Sequence, residues 1–163
     1  EVIAGDTIIN YGPFQGIPLS TAKFFTSATQ FSMLIGYIIG IILIPKYISQ
    51  EKALRYSAIM AIIFALTAIS TNGYVSITFI ALLGLANSLM WPSIWPLAIA
   101  GLGKFTKLGS SFLIMAVGGG AILPLVYGHL ALKYNPQHAY WMVIPCYLVI
   151  FYYAVWGHKI RIK

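Results

Sequence analysis

Long, nearly unbroken apolar runs alternate with short polar breaks along this 163-residue chain. A helix that crosses a bilayer needs about 20 apolar residues. The first full run covers 24–44 and stops at Pro45, ahead of the polar loop Lys46 to Lys52. The second covers 56–69, is short, and is expected to extend into its flanks before Ser70-Thr71-Asn72-Gly73 closes it. Further runs cover 74–100, 110–132 and 139–156. A partial run, 1–9, precedes them. Counting that remnant, the pattern predicts six transmembrane helices, with the first one truncated, so the chain is expected to be a fragment that starts inside a helix. A membrane β-barrel would instead show segments of about 10 residues alternating in polarity, which these unbroken runs do not.

Composition strengthens this reading. Charged residues make up 8% of the chain and apolar residues 60%. So few charges cannot cover the surface of a soluble domain, whereas lipid requires only that the backbone satisfy its own hydrogen bonds. The formal charge of +7 raises nucleic acid as a partner, but the positions of the cations remove it. Alternate loops face alternate sides. One side carries Lys46, Lys52, Arg55, Lys104, Lys107, Lys159, Arg161 and Lys163, and the other only Lys23 and Lys133. Lys and Arg mark the cytoplasmic side. The carboxy terminus is therefore expected in the cytoplasm, and no nucleic acid is needed. Tyr74, Tyr140 and Trp156 fall at span ends, where an aromatic belt belongs.

Ionisable groups at membrane depth are costly and are functional candidates. Three qualify: Glu1, Asp6 and Lys23. Glu1 and Asp6 lie about 140° apart around a helix, so they cannot share one narrow cavity. Asp6 and Lys23 face each other across the 10–18 loop, either as an ion pair or as solvated ends. Glu1, about 7 Å deeper, is the better cavity candidate, its alternative being a buried, hydrogen-bonded or protonated carboxyl.

The most informative stretch runs from Gly84 to Pro96. Asn87, Trp91 and Trp95 recur at i, i+4 and i+8, so on one helix they share a face, and Pro92 and Pro96 bend that helix. An amide beside indoles suits a sugar, because aromatic faces stack on C–H groups while the amide bonds hydroxyls. The plainer alternative is packing of large side chains around a kink. Gln30 is a second polar candidate for the cavity, or else an interhelical hydrogen-bonding group. Gly36 and Gly40 form a G-x-x-x-G pair that signals close helix packing. Gly118-Gly119-Gly120 with Pro124 reads as a hinge or as a packing groove, and not as a phosphate loop, since no Lys-Ser/Thr follows. A faint echo between Met33–Gly36 and Met115–Gly118 fits two three-helix units of inverted topology. His129 and His138 fit no metal spacing, the single Cys146 allows no internal disulfide, and no catalytic set is visible. The chain is thus read as a non-enzyme that needs no cofactor and no metal.

Three segments together, Asn87 to Ala98, Gly101 to Ser111 and Gly118 to Pro124, resemble the fucose and glucose/galactose proton-symporter family of the major facilitator superfamily. Gly36 to Leu54 is similar to the loop between helices eight and nine of that family, keeping Gly40, Lys46 and Lys52 but carrying Pro45 where an acidic residue is often found. The resemblance implies an all-α six-helix bundle spanning 1–163, helices seven to twelve of a twelve-helix fold. It implies a secondary transporter in the bacterial inner membrane, importing a hexose or deoxyhexose such as glucose, galactose or fucose with protons, by alternating access. Its partners would be the sugar, the proton, the lipid bilayer and the missing amino-terminal half. The family's main proton-coupling carboxylates lie in that other half, so coupling is not assigned to Glu1. Two other readings remain open at this stage: a transporter of the superfamily with a non-sugar substrate, and a membrane scaffold with no transport of its own.

Overall fold

A computed structural model describes residues 2–44 and 46–160. Nine α-helices follow in order among these residues: α1 Val2–Phe14, α2 Leu19–Leu43, α3 Gln50–Ser70, α4 Gly73–Ser88, α5 Met90–Ile99, α6 Thr106–Ala116, α7 Gly119–Lys133, α8 Pro136–Ala139 and α9 Val143–Val155. Five stretches of the described chain are long and apolar enough to cross a membrane: α2, α3, Gly73–Ile99, Gly103–Lys133 and Pro136–Lys159. Three spans are therefore built from two helical pieces each.

Prolines explain those joints. The ring of a helical proline collides with the carbonyl four residues earlier and offers that carbonyl no donor. Pro92 faces Ser88 in this sense, and the helix breaks at Leu89, between α4 and α5. Pro145 faces Trp141, and Tyr140–Met142 tightens into a 3₁₀ turn before α9 begins. Pro124 sits one turn into α7, just beyond the break at Val117-Gly118. Loop geometry is equally local. Ile44, the residue before Pro45, is extended (φ −103°, ψ 134°), as steric clash with a following proline demands, and this ends α2.

Small residues set the packing. A Cβ at Gly36 would run into the Ser88 side chain, one at Gly40 into the Leu89 side chain, and one at Gly84 into the Thr29 backbone carbonyl. The G-x-x-x-G pair of α2 thus does bring α2 against the α4–α5 joint, with Gly84 returning the close approach from the other side. On α3, Leu54, Ala58, Ala61, Ala65 and Ala68 are fully buried. Their spacing of three and four residues makes one narrow seam, and α3 packs along it against α4 and α9.

One sequence expectation needs correction here, and the alternatives left open for Asp6 and Lys23 narrow to exposed ends. The 10–18 segment is not all loop: α1 continues to Phe14, and the chain turns at Gly16 (φ 75°) before α2 starts at Leu19. This puts Asp6 roughly 12 Å and Lys23 roughly 6 Å from the turn along their antiparallel helices. They are at different depths, both are exposed, and no ion pair joins them among the described residues. Glu1, the carboxylate favoured for the cavity, lies outside the described residues, as do Pro45, Arg161 and Lys163.

Candidate functional site

The break at Leu89 also opens the centre of the bundle. A cavity of about 240 Å³ lies beside it, walled by Ile3 and Ala4 of α1, Leu83 and Asn87 of α4, Met90, Trp91 and Ile94 of α5, Leu123 of α7, and Tyr140 to Ile150 of the last span. The walls are mostly apolar, with Asn87, Tyr140 and Tyr147 as the notable exceptions. Asn87 is 2% exposed, and its side-chain nitrogen has no hydrogen-bond partner. A buried unpaired amide donor costs about 1–3 kcal/mol, so this group is available to a polar ligand in the cavity. Trp91 is 39% exposed and lines this cavity and a second one of about 420 Å³, bounded by Val2, Ala116, Val117, Gly120 and Pro124. Its indole therefore stands between two hollows, one on the α4–α5 joint and one on the glycine break of α6–α7.

The floor of the first cavity is rigid. Tyr140 stacks edge-on against both Tyr11 and Tyr127, with ring centroids 5.5 and 5.2 Å apart. Each hydroxyl is occupied: Tyr140 with Thr7 Oγ1 at 2.8 Å, Tyr11 with Ser76 Oγ at 2.6 Å, and Tyr127 donating to the Pro136 carbonyl at 3.2 Å. Beyond them, Gln137 Nε2 donates to the carbonyls of Ala68, Ile69 and Thr71 at 2.7–3.2 Å. These are the last carbonyls of α3, which have no helical donor. Gln15 completes the clamp, donating to Gln137 Oε1 at 3.2 Å and to the Tyr11 hydroxyl at 3.0 Å while accepting the Gly73 amide at 2.8 Å. One end of α1, α3, α4 and α8 is thereby fastened by two glutamines.

The residues singled out in the sequence are only partly gathered. Asn87 and Trp91 share the cavity. Trp95 lies edge-on to Trp91 at 5.5 Å, half-buried, and is not part of the cavity wall. Trp91 and Trp95 lie together on α5 with their rings in contact, but the cavity closes around Asn87 and Trp91 and its wall does not include Trp95, one turn further on. Gln30 is exposed on α2 and away from this cavity, with its amide nitrogen beside Gly5 of α1.

What sequence reasoning missed is the company Gln30 keeps. Asp6 and Asn10 on α1, and Lys23, Ser27 and Gln30 on α2, are all exposed. Their spacings, i/i+4 and i/i+4/i+7, give each helix one polar stripe, and the two helices are packed side by side. Charged and amide groups at membrane depth do not face lipid, so this double stripe faces water or another protein wall. The signal was present in the spacing of Asp6 and Asn10. It was obscured by reading residues 10–18 as a loop.

No protein-family model matches the chain. Over 162 residues the chain is 34% identical to the glucose/galactose transporter of Brucella abortus biovar 1 (strain 9-941), covering 98% of this chain and 39% of that protein. It is 32% identical to the L-fucose-proton symporter of Escherichia coli (strain K12) over 142 residues, 85% of this chain and 32% of the symporter. The chain thus spans less than two-fifths of the length of these relatives, in their carboxy-terminal part. The crystal structure of the major facilitator superfamily transporter FucP in the outward conformation superposes with a TM-score of 0.88 at 28% identity, over 94% of this chain and 37% of that one.

Proposed function

Because this chain belongs to the major facilitator superfamily, as a multi-pass membrane homologue of glucose/galactose and fucose transporters, we propose that it forms one wall of a sugar transporter. The substrate is a hexose or deoxyhexose such as glucose, galactose or fucose, carried with protons by alternating access. The reading rests on one observation above all: the unpartnered, buried amide of Asn87 beside the exposed indole of Trp91, both opening on the 240 Å³ cavity. An indole face packs against the C–H side of a pyranose, and an amide N–H with nothing to bond can donate to a sugar hydroxyl oxygen.

The exposed stripe of Asp6, Asn10, Lys23, Ser27 and Gln30 supports a second wall supplied by the amino-terminal half. A cavity between halves is how such transporters alternate their access, and it would place Gln30 among the substrate contacts from the opposite rim to Asn87. Trp95 acts through Trp91, against whose ring it packs. Glu1 is kept as a candidate contact on the ground of its depth in the sequence alone. The relatives are transporters and not enzymes. The bacterial relatives support placement in the inner membrane, and the distribution of Lys and Arg supports a cytoplasmic carboxy terminus.

The test is uptake of labelled hexoses by the full-length protein in cells or proteoliposomes, with and without an imposed proton gradient. The reading expects gradient-driven uptake of at least one of glucose, galactose and fucose, reduced at least tenfold by Asn87→Ala and by Trp91→Ala at unchanged protein level. Undiminished uptake in both variants would remove the site assignment. Uptake of none of the sugars, with transport of another solute class, would remove the substrate.

A further inference from the structure

The opposite end of α3 holds a second polar feature that sugar transport does not use. Lys52 and Arg55, in the first two turns of α3, line one narrow crevice with Glu51, Ala154, Val155 and Lys159, the last of these just beyond α9. Its walls are tied together. The ring of His158, 5% exposed, spans the Tyr153 carbonyl at 3.0 Å from Nδ1 and the Glu51 carboxylate at 2.9 Å from Nε2. The carboxylate at this end is thereby engaged, and the sequence holds only two other acidic residues, Glu1 and Asp6, both near the start of the chain. Lys52, Arg55 and Lys159 have no carboxylate partner among the described residues.

What lies beneath these cations distinguishes them from an ordinary basic loop. The exposed stripe of α3 continues from Arg55 through Tyr56, Ile59, Ile63 and Leu66, and that of α9 runs back from Lys159 through Trp156, Tyr152, Val149 and Leu148. Both stripes are apolar with aromatic residues at the charged end, which is the surface lipid covers. The α1–α2 face is the opposite case, with its polar stripe. The crevice therefore sits at the headgroup level of the lipid-facing side of the bundle, on the side the cations mark as cytoplasmic. Its volume of about 30 Å³ is that of one or two oxygen atoms, enough to seat the edge of a phosphate whose remainder stays in the interface.

We propose that this crevice binds the phosphate of an anionic phospholipid, whose acyl chains lie along the exposed stripes of α3 and α9. The guanidinium of Arg55 suits a phosphate edge, the two ammonium groups supply point charges around it, and basic pockets between membrane helices are known to hold anionic headgroups. A general excess of cytoplasmic cations, by contrast, would hold no lipid more tightly than Lys104 and Lys107 do.

The experiment is native mass spectrometry of the full-length protein titrated with phosphatidylglycerol or phosphatidylcholine. Wild-type protein is expected to retain phosphatidylglycerol at least fivefold better than phosphatidylcholine. The triple variant Lys52→Gln/Arg55→Gln/Lys159→Gln is expected to lose that preference, and Lys104→Gln/Lys107→Gln to keep it. Lys159→Gln alone, at an exposed position at the end of the short 3₁₀ turn after α9, provides a variant with little folding risk and is expected to lower the preference at least twofold. Equal retention of the two lipids by wild type, or equal loss in the Lys104/Lys107 control, overturns the proposal. Displacement of bound lipid by millimolar inorganic phosphate also overturns it, since the site would then take a free anion.

Discussion

The span made of α3 and the span made of α6 and α7 have nearly the same apolar content, and the fold treats them in opposite ways. α3 buries seven residues along its alanine seam, has its last carbonyls capped by Gln137, and is tied at its start by Glu51 to His158. α6 buries none, α7 buries only Tyr127, and the break at Val117-Gly118 between them is exposed. Lipid dissolves both sequences equally well, so hydropathy does not separate them. The difference lies in small residues placed where a partner helix approaches, and in polar groups placed where a helix end needs a donor. A span lacking both within its own chain is left to be covered by lipid or by another protein wall.

The contrast can be broken most severely at Gly84. A valine there would drive its side chain into the Thr29 backbone, which cannot yield as a side-chain tip can. Gly84→Val is expected to cost roughly 3 kcal/mol or more, at or above the upper end of ordinary overpacking. It would be read as loss of monodisperse protein in size-exclusion chromatography. Gln137→Ala comes next. It strips the Gln137 donor from the Ile69 and Thr71 carbonyls, while that of Ala68 keeps the Ser76 hydroxyl, and should lower stability by about 1–3 kcal/mol, measured as a drop in Tm in detergent. Asn87→Leu sharpens the comparison in the other direction. It removes an unpaired buried amide, so it should leave Tm unchanged or raise it while abolishing sugar uptake; a fall in Tm with uptake retained would make Asn87 a structural residue. The smallest effect belongs to Gly119→Ala. Nothing lies within 4 Å of the Cβ it would add, and at the first residue of α7 the better helix former should add less than the ~0.5–1 kcal/mol of a helix interior. If uptake slows while Tm rises, the glycine run serves as a pliable joint; unchanged uptake makes it a packing groove.

How far the sequence could be read depended on the range of the interaction. The G-x-x-x-G pair of α2 was legible because glycine four residues apart has one common use in a membrane, and Gly36 and Gly40 do meet Ser88 and Leu89. Asn87 and Trp91 stood out as a polar and an aromatic group near a proline, and they share a cavity. That Trp95 would fall outside the cavity wall was illegible, because the wall is closed around Asn87 and Trp91 by Leu123 and by residues of the last span, distant in sequence. The clamp of Gln15 and Gln137 was invisible for a different reason. The two glutamines are 122 residues apart, and neither is unusual in its local sequence. The polar stripe of α1 and α2 lay between these cases: its spacing was present, but the end of α1 had to be known before Asp6 and Asn10 could be put on one face.

The sequence by itself determined that this chain lives in a membrane as helices. Lipid offers the backbone no hydrogen bonds, and long apolar runs interrupted by loops leave no other solution. It also determined where those helices are weak, since proline acts on the carbonyl of its own preceding turn. Only the tertiary structure decided what the weak points are for. It put the Leu89 break beside a cavity with an unsatisfied amide and gave α3 its partners. It left α6 and α7 with few buried residues among those described, because contacts between distant segments are chosen by shape and by paired polar groups that no single stretch of the chain contains.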